Sequence, residues 1–367
     1  MARRKILISG YYGFGNAGDE AILAAMLQAI HAQRDDLEVC VFSDNPALTS
    51  REFGVRAVNR KNLFAMGMEM LSASLLLSGG GGLIQDSTGV NTIRYYMGVA
   101  SLARTLGTPV MFYAQGVGPI RTQAGRGIAR TAANRVQLIT VRDDESRALF
   151  EEIGVTRPPI VVTADPVMAL EPAPAARVDE IWKAEALAGD SPVVGLSVRP
   201  WPESQGYEEA FAEAGRRIVR EGARVLVIPF QESQDRAVCE RVAEAIGGGA
   251  HLLSDRWSAT ELMGVMGRLQ ATVAMRLHAL IFSAALAVPM AGVAYDPKVA
   301  QFLARMEAPV IPLQGLSPEH LHEAARDLLE RGGLHRDRLR RLAPPMRDQA
   351  LENARLMDRL LRGEAPR

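Results

Sequence analysis

Arg276 and His278 stand two residues apart at the start of an otherwise apolar run, 279–286, directly after a short β-branched segment. A guanidinium and an imidazole at a helix N-terminus meet the positive end of the helix dipole, so they cost stability unless an anion sits there. Twenty residues after His278, a second strand-to-helix turn carries Tyr295, Asp296, Pro297 and Lys298. If the two preceding segments are adjacent parallel strands, His278 and Lys298 reach the same sheet edge. Arg276, His278 and Lys298 then read as a pocket for a small, multiply charged anion. Arg199, at another strand end, is a fourth cation for it.

Further polar and glycine-rich clusters follow other strand-like runs. Glycines at 10, 13, 15 and 18 flank Asn16 and Asp19 between the first strand and the first helix. They let backbone N–H groups approach a ligand, and the helix start favours an anion. Their spacing is not that of a dinucleotide fingerprint. Asn16 or Asp19 would serve as a helix cap, but a cap does not require four glycines. Asp19 is therefore a carboxylate for binding or activating a hydroxyl. The run Gly79, Gly80, Gly81, Gly82 implies close backbone approach, either to a ligand or to a neighbouring helix. Gln115 ends the next strand. Arg142 opens a helix rich in acids, where it either binds an anion or pairs with Asp143, Asp144 or Asp165.

The elements that must position these residues alternate. Strand-like runs at 5–9, 38–43, 74–77, 109–114, 138–142 and 160–164 are near-continuously apolar, as parallel strands buried on both faces are. Helical patterns at 19–33, 92–106, 125–136 and 144–153 separate them. After a Pro- and Ala-rich linker at 171–192, a second alternating series runs from 193 to 294. The fold class is α/β: two doubly wound domains facing a cleft, with ligands expected outside the carboxyl ends of the strands. The expected boundaries are 1–175, 190–330 and a helical segment, 335–367.

Composition bounds the function. The chain has 367 residues, 48 % of them apolar, with 42 basic and 42 acidic side chains. Zero net charge gives no field favouring nucleic acid. Two cysteines form no disulfide framework and, with no metal-ligand cluster, no metal is expected. The apolar run at the N-terminus is too short for a signal peptide, and the stretch 279–295 is too short to span a bilayer. A cytoplasmic setting is expected. The C-terminal segment is arginine-rich, but interleaved Asp337, Asp348, Glu352 and Asp358 favour a solvated face over a docking one.

GYYGFGNAGDEAIL, LLLSGGGGLIQD, AQGVGPI, VRDDES and MRLHALIFSAALAVP with AYDPK occur in this order across residues 10–298. Together they resemble the polysaccharide pyruvyltransferase family, close to bacterial members that pyruvylate secondary cell-wall polymers for S-layer anchoring. The resemblance implies a fold similar to GT-B glycosyltransferases, phosphoenolpyruvate as co-substrate with no cofactor, and a saccharide acceptor. It implies a pyruvate ketal and phosphate as products. It assigns the donor to Arg142, Arg276, His278 and Lys298, to which the strand-end position adds Arg199. The acceptor falls to the first domain, with Gly15, Asn16, Asp19, Gly80, Gly81 and Gln115. His278 would protonate the methylene carbon and Asp19 would activate a hydroxyl. A lipid-linked acceptor would bring peripheral contact with the inner face of the plasma membrane.

Three other functions share parts of this pattern. A nucleotide-sugar glycosyltransferase uses the same architecture, although no pair of carboxylates follows 290–294 to hold a ribose. A two-lobed anion- or sugar-binding protein would normally carry an export signal. A sugar-phosphate epimerase would need catalytic carboxylates that the pattern does not present.

Overall fold

The computed structural model describes residues 4–86, 89–201, 203–254 and 257–364. The extreme ends of the N- and C-terminal segments discussed above, 1–3 and 365–367, lie outside the described residues. The chain forms two compact units, one of Met1–Phe14, Asp19–Leu170 and Met346–Arg367, the other of Gly15–Gly18 and Glu171–Pro345.

The first unit begins β1 (Lys5–Ser9), α1 (Ala17–Gln33), β2 (Glu38–Ser43), α2 (Pro46–Phe53), β3 (Arg56–Asn59) and α3 (Leu63–Leu71). It continues β4 (Leu75–Ile84), α4 (Val90–Thr105), β5 (Val110–Val117), α5 (Gln123–Ala133), β6 (Leu138–Val141), α6 (Asp144–Glu152) and β7 (Ile160–Val162). Its seven strands are parallel in the order β3-β2-β1-β4-β5-β6-β7. The direction of strand addition reverses between β1 and β4. Asn45, Asn62, Thr122 and Asp143 cap α2, α3, α5 and α6 by accepting backbone N–H bonds. These four caps fix where each connection turns back toward the sheet.

The second unit holds α7 (Ala175–Ala184), β8 (Val193–Ser197), α8 (Tyr207–Arg220), β9 (Arg224–Val227), α9 (Glu232–Ile246), β10 (Ala250–Leu252) and α10 (Ala259–Met266). Then come β11 (Ala271–Ala274), α11 (Leu277–Ala285), β12 (Met290–Ala294), α12 (Pro297–Arg305), β13 (Val310–Pro312) and α13 (Pro318–Glu330). Six parallel strands lie in the order β10-β9-β8-β11-β12-β13, reversing between β8 and β11. Every residue of β6, β8 and β11 is buried, so helices cover both faces of each sheet.

Both units are thus doubly wound, as the alternation of apolar runs implies. Three details differ from the sequence expectation. The glycine run is not a loop after a strand: β4 extends through it to Ile84, with a register irregularity between Gly81 and Ile84. The segment 44–74, which shows no strong periodicity, contains α2, the edge strand β3 and α3. The division also departs from 1–175, 190–330 and 335–367. Residues 171–192 belong with the second unit, where Ala173 N–H donates to Thr260 O at 3.0 Å.

The last helix, α14 (Gly332–Arg362), is not a segment of its own. It contains Pro344 and Pro345, and its membership changes to the first unit at Met346. The cause is visible at Asn353, which is fully buried. Its Oδ1 accepts from Thr140 Oγ1 at 2.5 Å and Thr163 Oγ1 at 3.0 Å, tying α14 to β6 and to the residue after β7. The arginines of α14 are largely paired, Arg341 with Glu307, Arg355 with Glu352 and Arg362 with Asp358. No helix among the described residues is long and apolar enough to cross a membrane.

Candidate functional site

The reversal between β8 and β11 in the second unit opens a crevice at their carboxyl ends, where doubly wound sheets bind ligands. Three neighbouring strands deliver cations there. Arg199 follows β8 by two residues, Arg276 and His278 follow β11, and Lys298 follows β12. Adjacent strands are ~4.8 Å apart, so the three chain exits fall within ~10 Å along this edge. The expected meeting of His278 and Lys298 at one sheet edge is therefore present, through the β11–β12 pairing.

Arg276 is held by a partner that the sequence reading did not foresee. Asp235 of α9, fully buried, accepts from Arg276 Nε at 2.9 Å and from Nη2 in a two-point fork. The same carboxylate accepts from the N–H groups of Phe230 and Gln231 at 3.1 and 3.0 Å. Arg276 is therefore not the unpaired cation that its helix-start position suggested. Its guanidinium is fixed in direction, and Nη1 stays outside the fork. As the residue capping α11 it gives no side-chain bond, so the first N–H groups of that helix receive no capping side chain.

Arg199 is enclosed by aromatic rings. Its guanidinium lies 4.9 Å from the Tyr295 ring centroid and 5.5 Å from that of Trp201, and Nη1 donates to Tyr295 Oη at 3.0 Å. Arg199 Nε is buried with no hydrogen-bond partner among the described residues. Such a buried charged donor is costly to leave unmatched. Lys298 is less constrained. Its Nζ lies 3.3 Å from Asp296 Oδ2, its side chain is 42 % exposed, and Asp296 also caps α12.

His278 packs on backbone. Residues Gly15–Gly18 belong to this unit: Ala17 N–H donates to Phe230 O at 2.7 Å, and Asn16 bridges Gln231. Asn16 Oδ1 accepts from Gly18 N–H at 3.0 Å and its Nδ2 donates to Gln231 Oε1 at 3.4 Å. That turn presses Gly18 against the imidazole. A Cβ at position 18 would lie 2.2 Å from His278 Nδ1 and 2.5 Å from Cγ, so only glycine fits. Asn16 thus shapes the turn, while Gly15 is exposed, with φ +70° and open space around it.

In the first unit the strand order reverses between β1 and β4, and glycine-rich backbone gathers there. The buried Tyr12 hydroxyl donates to Gly79 O at 2.6 Å, and Gly13 N–H donates to Glu20 Oε1 at 2.8 Å. Burial pushes the Tyr12 hydroxyl pKa well above its usual value, with Asp19 and Glu20 adding to it. Gly80 answers the question left open by the sequence. Its φ is +75° and a Cβ would meet Ile22 Cγ2 of α1 at 1.9 Å, so helix packing requires it. Gly81 faces Asp19, whose Oδ1 would be 3.0 Å from an added Cβ.

Gln115 and Arg142 are occupied within the fold. Gln115 is fully buried and its Nε2 donates to Ser78 O at 2.8 Å. It is not placed to touch an acceptor, because the sheet encloses it. Arg142, 8 % exposed, pairs with Asp165 at 3.0 Å and with Asp143 at 3.5 Å. Burial lowers its pKa, but Asp165 and Asp143 outweigh that and raise it above the ordinary arginine value. The ion pair anticipated as the structural alternative is therefore the one formed. Among the described residues, no three His, Cys, Asp or Glu side chains gather as metal ligands. Cys40 and Cys239 are free, and burial pushes both thiols up to about 12.

Sequence reasoning missed Asp235, Gln231 and Trp201 as parts of this edge. Asp235 had one available signal, an acid in the first turn of a helix after a strand end, although nothing in its spacing points to Arg276.

Two Rossmann-like α/β units define a GT-B-like fold class, and solved structures agree. A putative UDP-N-acetylglucosamine 2-epimerase from Listeria monocytogenes superposes with a TM-score of 0.69 at 12 % identity, covering 100 % of this chain and 99 % of that one. HepE from Anabaena, solved with UDP and glucose, gives 0.64 at 13 % identity, covering 98 % and 100 %. Identities this low establish the fold alone. The chain belongs to the polysaccharide pyruvyl transferase family, whose model matches residues 16–297. The amylovoran biosynthesis protein AmsJ of Erwinia amylovora is 22 % identical in an alignment of 355 positions that covers 80 % of this chain and 84 % of that protein. The matched span contains Asn16, Asp19, Arg276 and His278 and stops one residue before Lys298.

Proposed function

We propose that the protein transfers the enolpyruvyl group of phosphoenolpyruvate onto two hydroxyls of one sugar, forming a pyruvate ketal and releasing phosphate. The observation that carries this reading is the row of Arg199, Arg276, His278 and Lys298 behind β8, β11 and β12. Phosphoenolpyruvate bears a phosphate and a carboxylate. Cations held in fixed directions suit both groups.

In the proposed reaction His278 gives a proton to the methylene carbon, leaving C2 as an oxocarbenium-like centre. The first sugar hydroxyl adds to C2 and loses its proton to a base, for which Asp19 is assigned. The C2–O bond to phosphate then breaks, with Arg199, Arg276 and Lys298 offsetting the charge on the leaving group. The second hydroxyl closes the ring, and its proton balances the one delivered to carbon. Arg142 is left out of the donor set, because Asp165 and Asp143 already pair it. The acceptor is assigned as a saccharide of a lipid-linked polysaccharide precursor, handled in the cytoplasm. A secondary cell-wall polymer that anchors an S-layer is the destination suggested by the motifs.

A thermal-shift titration tests the donor. Phosphoenolpyruvate should raise the melting temperature by mass action, and Lys298→Ala should weaken that shift about ten-fold in concentration. A shift with UDP or UDP-sugars instead of phosphoenolpyruvate would favour the nucleotide-sugar glycosyltransferase and end this reading.

A further inference from the structure

Four of the six large apolar side chains most exposed among the described residues lie on one nine-residue helix, α3. They are Leu63, Phe64, Met68 and Leu71, exposed by 62, 81, 54 and 61 %. The other two, Val310 and Leu334, lie on β13 and α14. At ~100° per residue the four fall within an arc of ~140°. Met66, Glu69 and Met70 occupy the opposite, buried side. A helix apolar on both sides, one face packed and one open, presents a candidate interaction surface.

We propose that the open face of α3 docks the protein on an anionic membrane surface. Two features favour a bilayer over a second copy of the chain. The first is area: four partly exposed side chains offer on the order of 400 Å². A stable protein interface needs ~800 Å² from each partner. Shallow insertion into the headgroup region needs only such a narrow apolar stripe.

The second feature is charge. Lys61 precedes α3 and is 75 % exposed on its side chain, paired with Asp44 at 2.9 Å. Lys5 and Arg56 meet the buried Glu69 of α3 at 3.0 and 2.6 Å, and Lys5 lies 3.6 Å from Glu38. Arg60 lies one residue before Lys61. Arg104 donates to Thr108 O, and Thr108 Oγ1 donates to Met70 O in α3. With Arg60 buried, four cations, Lys5, Arg56, Lys61 and Arg104, stand against three carboxylates around the helix, the sign that an anionic leaflet attracts.

The position fits a lipid-borne acceptor. Between β3 and α3, Arg60 packs at 5.0 Å on the ring of Phe14 and at 4.0 Å on that of Tyr95. Phe14 belongs to the glycine-rich loop after β1, so the start of α3 and that loop are tied together. The docking itself does not depend on which reaction the protein catalyses.

The test is sedimentation of the full chain with vesicles. Wild type should partition onto phosphatidylglycerol–phosphatidylethanolamine vesicles and at least about ten-fold less onto pure phosphatidylcholine. Phe64→Ser with Leu71→Ser should lower binding at least ten-fold. Lys61→Glu should lower it about ten-fold while leaving the apolar face intact. Because these side chains are exposed, far-UV circular dichroism and melting temperature should match wild type. Equal binding by the double variant and wild type, or no wild-type binding, overturns the proposal. So does a wild-type dimer, seen by analytical ultracentrifugation, that the double variant dissociates, since a second copy would then cover α3.

Discussion

Gly18→Ala separates the placement of His278 from the stability of the fold. Position 18 lies in the first turn of α1, and its φ is not among the positive values. Alanine is therefore compatible with the backbone, and by itself would stabilise by ~0.4–1 kcal/mol through the unfolded chain. The methyl group, however, would stand 2.2 Å from His278 Nδ1. Ordinary contact needs ~3.5 Å, so the imidazole must move by ~1 Å. Such a shift of a proton donor costs ~100-fold in rate, or ~2.7 kcal/mol of barrier. The overpacking cost of ~1–3 kcal/mol is partly offset by the backbone gain. The melting temperature should thus fall by no more than ~5 °C. The assay is acceptor-dependent phosphate release from phosphoenolpyruvate, per folded molecule. The expected signature is a kcat lower by ~100-fold with KM for phosphoenolpyruvate within a few-fold. Wild-type kcat in Gly18→Ala would refute the assignment of His278 as a positioned acid.

Four further outcomes are expected. Arg276→Ala strands the fully buried Asp235 and should cost ~3–5 kcal/mol of stability, seen as a large drop in melting temperature. Lys298→Ala, at a side chain 42 % exposed, should raise KM for phosphoenolpyruvate about ten-fold with the melting temperature nearly unchanged. Arg142→Ala should also destabilise, because Asp165 loses its partner, yet keep turnover per folded molecule; lost turnover in a folded variant would return Arg142 to the donor site. The last concerns pH. Burial pushes the Glu185 carboxyl up, but hydrogen bonds from His251, Ser254 and Trp257 outweigh it and hold the group below its usual 4.5. Its stabilisation is therefore complete above pH 4.5 and lost as the pH falls through the lower folded-state value. In melts at stepped pH, Glu185→Gln should be less stable than wild type near neutrality, with the gap closing below pH ~4. A gap independent of pH would contradict this.

The strands and the cationic edge were legible because their signals are local. Buried parallel strands must be apolar on both faces, and a cation beside a helix start is conspicuous in a single short window. Local signals alone place Arg199, Arg276, His278 and Lys298 at strand ends. The partners were not legible, because they come from distant chain segments. Asp235 lies 41 residues before Arg276 and meets it only when α9 and α11 pack on the same sheet. Gly18 reaches His278 only through the Asn16–Gln231 bridge. Gly80 illustrates a real ambiguity, since a ligand and a helix side chain make the same demand on a backbone. Ile22 resolved it toward packing. α3 escaped notice because both its faces are apolar and it has no periodicity to detect. That same lack of a polar face is what gives it an open apolar surface.

Following the carbon skeleton of phosphoenolpyruvate decides between ketal formation and glycosyl transfer. The protein would be incubated with phosphoenolpyruvate labelled with carbon-13 at C2 and with a lipid-linked saccharide fraction from its source. Carbon NMR would follow the label, and a phosphate assay would run in parallel. The expected result is a new quaternary ketal resonance on the saccharide, with one phosphate released per ketal formed. Unchanged phosphoenolpyruvate, with release of UDP from an added UDP-sugar under the same conditions, would contradict it.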